Sequence, residues 1–179
     1  MQLSNCDNGY NVLSMNQESD KKETLIMAYQ HILLAVDDSP ISYAAVEHAE
    51  KLALAFNCKI TVTSVIAVDP FKGVDFYKVA PAVTQYLLEA EKNALARLKD
   101  IQETLLHHGV SAVDTKVVRE VPPATGILNA ADELNVDLIV MGSHGRTGFK
   151  KFFLGSVAQE VLSICPLPVL IIKSTLSED

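Results

Sequence analysis

Residues 136–160 read VDLIVMGSHGRTGFKKFFLGSVAQE, and the order of features in this stretch decides how the rest of the chain is interpreted. It begins with an apolar run that is typical of a buried β-strand, and the run stops at Gly142. Gly145 follows after two residues, and Gly155 and Ser156 follow after nine more, opening a segment with apolar residues at helical spacing. The stretch therefore predicts a strand, a glycine-containing loop and a helix.

This loop has the chemistry of a site for a small anion. Glycine has no Cβ atom, so backbone N–H groups beside it can approach a ligand closely, and a helix N-terminus adds unpaired donors and a positive dipole end. Residues 138–159 contain no Asp or Glu but include Arg146, Lys150 and Lys151, in a chain of formal net charge -7. A local cationic segment in an acidic protein indicates a phosphate-bearing small molecule and not nucleic acid, which needs a broad basic surface.

Each of these features also has a purely structural interpretation. The glycines could serve only a turn and close packing, and Ser156 could be only a helix N-cap that forms a capping box with Gln159. The three cations could lie on a solvated loop face. Asp37, which follows the first predicted strand, could bind a ribose or a metal-bound water, or it could only shape the turn before Pro40.

Strands and helices alternate along the chain, which predicts an α/β fold. Apolar or β-branched runs predict five strands, at residues 31–36, 59–68, 113–118, 136–141 and 169–172. Helical spacing lies between them, beginning at Pro40, after a loop at residues 69–81, after Pro122–Pro123, and at Ser156. Five strands joined by four helical crossovers predict an open parallel sheet with helices on both faces and a ligand beyond the carboxyl ends of the strands.

Length and composition are those of one soluble domain. The chain has 179 residues, 49% of them hydrophobic and 21% charged, and no apolar run approaches the ~20 residues of a membrane span. Residues 1–26 are polar and are expected to be a disordered or loosely attached extension of a domain at residues 27–179. With no signal peptide and three scattered cysteines, we expect a cytoplasmic protein with reduced thiols.

Two common nucleotide motifs are excluded by spacing. The chain has no GxxxxGK[ST] sequence, and Gly142, Gly145 and Gly148 do not form GxGxxG. What remains is a Gly-x2-Gly-x9-Gly-Ser pattern, formed by Gly142, Gly145, Gly155 and Ser156. This pattern resembles the motif of the universal stress proteins, specifically of their ATP-binding branch. Residues 32–39 and 168–172 are also similar to the family's first and last strands, so the resemblance covers about residues 27–173.

The resemblance implies a Rossmann-like sheet of the adenine nucleotide alpha hydrolase type, with strand order 3-2-1-4-5. It also implies ATP as the ligand, with Mg²⁺ on the phosphates. The implied nucleotide-binding residues are Ala35, Asp37, Val65, Met141, Gly142, Gly145, Arg146, Gly155, Ser156 and Val157. Asp38 departs from the glycine of many members, and its carboxylate could weaken binding or help to hold a cation. No catalytic residue and no metal-ligand set is assigned.

Three functions are compatible with these residues. The favoured hypothesis is a nucleotide-dependent stress-response module, which we expect to be a homodimer paired through its apolar C-terminal strand. The alternatives are a slow ATP-hydrolysing enzyme and a nucleotide-free dimeric interaction protein. Efficient catalysis is not expected, because the anion-binding segment supplies no acidic or amide side chain suited to positioning a nucleophile. The downstream partner is not identified by the sequence.

Overall fold

Five short and largely apolar strands pair in parallel in the computed structural model, which describes residues 29–67, 76–119, 121–144 and 154–173. The strands are β1 (His31–Ala35), β2 (Lys59–Ile66), β3 (Val113–Arg119), β4 (Leu138–Gly142) and β5 (Val169–Ile172). Their order in the sheet is β3-β2-β1-β4-β5, which confirms the predicted order. The chain reverses its direction of travel across the sheet between β1 and β4, and such a switch point is where open α/β sheets bind ligands.

Four helices connect the strands in the described part of the chain: α1 (Pro40–Phe56), α2 (Phe76–His107), α3 (Pro123–Glu133) and α4 (Ser156–Ile164). Pro40 occupies the first turn of α1, as predicted. Gly109 ends α2 with φ +98°, and the amides of Gly109 and Val110 donate to the carbonyls of Leu106 and Leu105. That pair of bonds is a Schellman motif, a common way for a helix to end at a glycine. None of the described helices is both long enough and apolar enough to cross a membrane.

The ends of four strands differ from their predicted positions. β1 ends at Ala35, although the Val36 amide still donates to the Thr63 carbonyl at 2.9 Å. The one-residue difference therefore depends on how the end of a strand is defined. β2 ends at Ile66, and Val68 lies outside the described residues. β3 ends at Arg119, one residue later than predicted. β4 begins at Leu138 and not at residue 136. The residue before the strand, Asp137, contacts β1 through its carboxylate, which accepts from the His31 amide.

The second helix begins earlier than its apolar spacing predicts. α2 starts at Phe76, so Pro81 lies inside the helix and not in the loop before it. A proline removes one backbone hydrogen bond, and a helix of 32 residues keeps the bonds on either side of it. Leu98, Ile101 and Leu105 of α2 pack in the core on one face of the sheet.

The neighbouring strands β1 and β4 are buried on both faces, which explains why they are continuously apolar. Ile32 and Leu34 of β1 face the core formed with α1 and α2, whereas Leu33 and Ala35 face the core formed with α3 and α4. Small residues on α1, including Ala45 and Ala49, allow that helix to approach the sheet closely. This two-sided packing holds the carboxyl ends of β1, β2 and β4 at one edge.

Candidate functional site

An apolar surface forms at the carboxyl edge of the sheet from four of the predicted site residues. Ala35 pairs with Met141 in the β1–β4 ladder, and both belong to the core cluster that also contains Val65 and Val157. Ala35 and Met141 are buried, while Val65 and Val157 are half-buried. The structure therefore brings these four residues, from three strands and α4, to one face of the sheet.

Val65 is held in place by a close contact with α3. A Cβ atom at Gly126 would lie 2.7 Å from Val65 Cγ1 and 3.1 Å from Val121 Cγ2, so only glycine allows α3 to approach this closely. Gly126 was not singled out in the sequence, where it appears as an ordinary helix-interior glycine. Its role depends on the distance between α3 and β2.

Asp37 forms a compact hydrogen-bonded turn directly after β1. Its Oδ1 atom accepts from the Ser39 amide at 3.0 Å, from the Ser39 hydroxyl, and from the Ser42 hydroxyl at 2.8 Å. The turn interpretation of Asp37 is thus confirmed. No described residue donates a hydrogen bond to the other carboxylate oxygen, Oδ2, so the turn leaves an acceptor for a ligand.

The residues around Asp37 differ in part from expectation. Ser39 is the N-cap residue of α1, but its hydroxyl donates to Asp37 and accepts no hydrogen bond from a helix amide. Ser42 was not singled out, although its hydroxyl also accepts a hydrogen bond from the Asp37 amide at 2.9 Å. The only signal in the sequence was a serine five positions after Asp37, on the first turn of the helix.

Two of the motif glycines are required by the packing of the protein itself. A Cβ atom at Gly142 would lie 2.8 Å from Ile41 Cγ2, and one at Gly155 would lie 3.1 Å from His144 Cα. The Gly155 amide donates to the Ser143 carbonyl at 2.8 Å, so its hydrogen is engaged within the protein. The structural interpretation of these glycines therefore holds at both positions, and the contact of Gly155 joins α4 to the end of β4.

The N-terminus of α4 corrects the predicted capping box. Gly155, not Ser156, is the N-cap residue, and Gln159 Nε2 donates to the Leu154 carbonyl at 2.8 Å. The first backbone bond of the helix runs from the Gln159 amide to the Gly155 carbonyl, so the three amides before it have no intrahelical partner. No described residue accepts a hydrogen bond from those amides, which belong to Ser156, Val157 and Ala158.

Ser143 links β4, β5 and α4 at this edge. Its side chain is buried, its amide donates to the Ile172 carbonyl at 2.7 Å, and its hydroxyl lies 2.9 Å from His144 Nδ1. These bonds hold the start of the glycine loop between the sheet and α4. The rest of the loop, including the predicted site residues Gly145 and Arg146, lies outside the described residues, as do Lys150 and Lys151.

Acidic groups are absent from the described part of residues 138–159, so the amides of α4 face no nearby carboxylate from that segment. Within the four described ranges, no three His, Cys, Asp or Glu side chains come together as metal ligands. Asp38 is exposed at the turn and stands apart from such a cluster. The arrangement can bind an anion through backbone donors and an apolar group through the surface of the sheet.

Charged groups also lie at the opposite edge of the sheet, where the strands begin. Asp137 accepts hydrogen bonds from the amides of Gln30 and His31 at 2.7 and 3.1 Å, and it thereby ties β1 to β4. His31 Nε2 lies 2.8 Å from Thr61 Oγ1. Burial, followed by the charge of Lys59, lowers the pKa of His31 below its usual 6.5. The structural role of Asp137 depends on strand pairing, which brings its carboxylate to the start of β1.

Comparison with known proteins agrees with this architecture. Residues 28–173 match the sequence profile of the universal stress protein family. A universal stress protein of Methanocaldococcus jannaschii is 33% identical over 150 residues, which cover 84% of this chain and 85% of that protein. Each match spans nearly the whole described domain.

Solved structures show the same fold. Universal stress protein UspA of Lactobacillus plantarum superposes with a TM-score of 0.73 at 22% identity, over 81% of this chain and 98% of that one. A universal stress protein of Archaeoglobus fulgidus, solved in complex with dAMP, superposes with a TM-score of 0.55 at 23% identity, over 82% of this chain and all (100%) of that one. With its profile match, its sheet order and these relatives, the chain belongs to the universal stress protein family.

Proposed function

We propose that this protein binds ATP at the carboxyl edge between β1 and β4 and acts as a nucleotide-dependent stress-response module in the cytoplasm. The observation that carries the proposal is the set of three amides at the start of α4, on Ser156, Val157 and Ala158, for which no described residue is an acceptor. They lie at the same edge as an apolar surface and an aspartate with an available oxygen. Phosphate, base and ribose each have a matching group there.

In this proposal the base packs on the apolar surface beside Val65, and Asp37 Oδ2 accepts from the ribose. The phosphates lie at the N-terminus of α4. The helix dipole favours negative charge there, as do the three amides that have no acceptor among the described residues. Mg²⁺ would be held mainly by phosphate oxygens and water, as is usual where the protein supplies few carboxylates. Adenine is the first base to test, because a protein of this fold was solved with dAMP.

The proposed role is occupancy and not turnover. Backbone amides and one carboxylate hold ground-state phosphates and ribose, and they offer no added stabilisation as a phosphoryl group is transferred. ATP would then act as a retained signal that changes the conformation of the glycine loop or the choice of partner protein. A pull-down with and without ATP would identify that partner.

The test uses Ser156→Asp, a substitution that we expect to preserve or raise the stability of the protein. Ser156 is exposed, and a carboxylate in the first turn of a helix stabilises that helix through its dipole. Ser156→Asp should therefore keep or raise the melting temperature while its negative charge repels the phosphates. Calorimetry with Mg-ATP should show at least about tenfold weaker binding for Ser156→Asp, and a smaller loss for the uncharged control Ser156→Ala.

Glycine substitutions are poorer probes, because Val at Gly142 or Gly155 would collide with Ile41 or His144 within the protein. The wild-type protein should also release adenine nucleotide when it is purified and heat-denatured. Undiminished ATP affinity in a folded Ser156→Asp variant would contradict the proposed position of the phosphates. Absence of ATP binding by the wild-type protein would favour the nucleotide-free interaction protein.

A further inference from the structure

We propose that Ser42 is a positioning residue for nucleotide recognition, whose buried hydroxyl fixes the Asp37 carboxylate so that Oδ2 accepts from the hydroxyl groups of a bound ribose. The inference rests on the proposed function and deepens it, because it assigns the ribose hydroxyls as the groups that Asp37 distinguishes. Ser42 lies on α1 and reaches the ligand only through Asp37.

The hydrogen bonds of Ser42 leave no freedom in the Asp37 side chain. Ser42 Oγ accepts from the Asp37 amide at 2.9 Å and donates its single hydrogen to Asp37 Oδ1 at 2.8 Å. The Ser42 hydroxyl thus forms hydrogen bonds with both the backbone and the side chain of Asp37. The Ser39 hydroxyl also donates to Oδ1. The two serine oxygens lie 3.4 Å apart, and because each hydroxyl donates its hydrogen to Oδ1, neither donates to the other.

Oδ1 is saturated by donors from the protein. It accepts from the Ser39 amide, the Ser39 hydroxyl and the Ser42 hydroxyl, whereas Oδ2 receives no hydrogen bond from a described residue. A carboxylate in this state is an acceptor with one oxygen committed and one available. It suits a ligand that presents hydroxyl donors, as the diol of ribose does.

Burial makes the arrangement persistent. Ser42 and Ser39 are 4% and 3% exposed, so water does not compete for their hydroxyls, while Asp37 is half-buried. The two serines differ in what they attach to. Ser39 adjoins Asp37 in the same turn, whereas Ser42 belongs to a helix that packs on the sheet through Ile41 and Ala45. Ser42 therefore ties the Asp37 carboxylate to a helix whose position is fixed by core packing.

The experiment compares two ligands that differ only in the groups assigned to Asp37. Affinities for ATP and for 2′,3′-dideoxy-ATP are measured by calorimetry on the full chain carrying Ser42→Ala. The control is Ser163→Ala, which removes an exposed serine hydroxyl that donates to the Glu160 carbonyl of α4. Alanine is well accepted in helices, so both variants should fold, and thermal melts check this.

Loss of one hydrogen bond to the carboxylate should weaken ATP binding about tenfold in Ser42→Ala and leave dideoxy-ATP binding unchanged. Ser163→Ala should change neither affinity. An equal loss for both ligands would show that Ser42 acts only on structure, and an undiminished ATP affinity would show that Asp37 needs no such support; either result overturns the inference.

The wild-type protein separates the inference from the function on which it rests. It should bind ATP more tightly than dideoxy-ATP. Equal affinities for the two nucleotides would overturn the inference and leave ATP binding intact. Binding of neither nucleotide would overturn the proposed function together with the inference.

Discussion

Gly126 of α3 lies so close to Val65 of β2 that a Cβ atom on it would approach Val65 Cγ1 to 2.7 Å. Valine is stiff at χ1 and cannot move aside easily, so Gly126→Ala forces a shift of α3 or of the strand. The gain in helix propensity, about 1 kcal/mol, is outweighed by an overpacking cost of about 1–3 kcal/mol. We expect a net destabilisation of about 1 kcal/mol, or about 2–4 °C in melting temperature.

A second substitution tests the cause of that loss. In a Val65→Ala background the two colliding methyl groups are gone, and Gly126→Ala should then be neutral or stabilising. The double-mutant cycle should show a coupling that is visible in urea unfolding. If Gly126→Ala costs the same in both backgrounds, the close contact is not the reason for the glycine.

Acid should destabilise the protein through His31. Burial, followed by the charge of Lys59, lowers the pKa of His31. These two effects outweigh the opposing effects of Asp137 and Asp114. The unfolded chain therefore binds a proton more readily, and stability falls as the pH drops below 6.5, levelling off once it is below the folded-state pKa.

His31→Gln removes this titration and keeps an amide group near the position of Nε2, the atom that lies 2.8 Å from Thr61 Oγ1. Urea unfolding at about pH 7.5 and at about pH 5.5 should show a smaller loss of stability in the variant than in the wild type. An identical loss in both proteins would assign the acid sensitivity to other groups.

The protein should be a homodimer that pairs through β5. β5 is an edge strand of four residues, Val169–Ile172, and its side chains are only half-buried except at Ile172. The Ile139 amide donates to the Pro168 carbonyl, and the Ser143 amide donates to the Ile172 carbonyl. Since the backbone groups of a strand alternate in direction, the amides of Val169 and Ile171 face away from β4 and are open to a second strand.

Ile171→Pro removes one of those outward donors and leaves the bonds to β4 in place. Sedimentation velocity at micromolar concentration should show a dimer for the wild type and a shift to monomer for the variant. Leu170→Lys is a less selective probe, because Leu170 packs against the core that α1 covers. A wild-type protein that sediments as a monomer would rule out the prediction.

Residues 1–26 should be dispensable for folding and nucleotide binding. They fall outside the described residues, and their polar composition offers little apolar surface to offset an ordering cost of about 1–2 kcal/mol per residue. A chain beginning at Met27 should keep the melting temperature and the ATP affinity of the full chain. A large loss of stability would show that the extension contacts the domain, for example through Tyr10, Val12 or Leu13.

Hydrolysis of ATP should be slow or absent. Fast phosphoryl transfer needs a group that positions the nucleophile. Among the described residues, the carboxylates that follow β1 are Asp37, whose Oδ1 is held by two serines, and the exposed Asp38. Phosphate release under saturating Mg-ATP should stay well below ~1 per second. A rate at or above that value, lost in Asp37→Asn or Asp38→Asn, would favour the enzyme hypothesis.

The sequence by itself determined the strands, the helices and the order in which they alternate. Local causes act there: the apolar run that begins at His31 is long enough only for a strand, Pro40 opens a helix, and Gly109 ends one with a left-handed backbone that other residues resist. The glycine spacing was recognisable for the same reason, since it is a property of consecutive residues. The strand order followed from family resemblance and agrees with the structure.

Tertiary structure alone decided what each residue at the site contacts. Gly142 and Gly155 make room for Ile41 and His144 within the protein, and the Gly155 amide is used by Ser143. Ser42 and Gly126 belong to no sequence motif. The role of Ser42 depends on the carboxylate of Asp37, and the role of Gly126 depends on the side chain of Val65 in another element. Propensity and periodicity act between neighbours in the chain, whereas hydrogen-bond partners and contact distances are set when separate segments pack together.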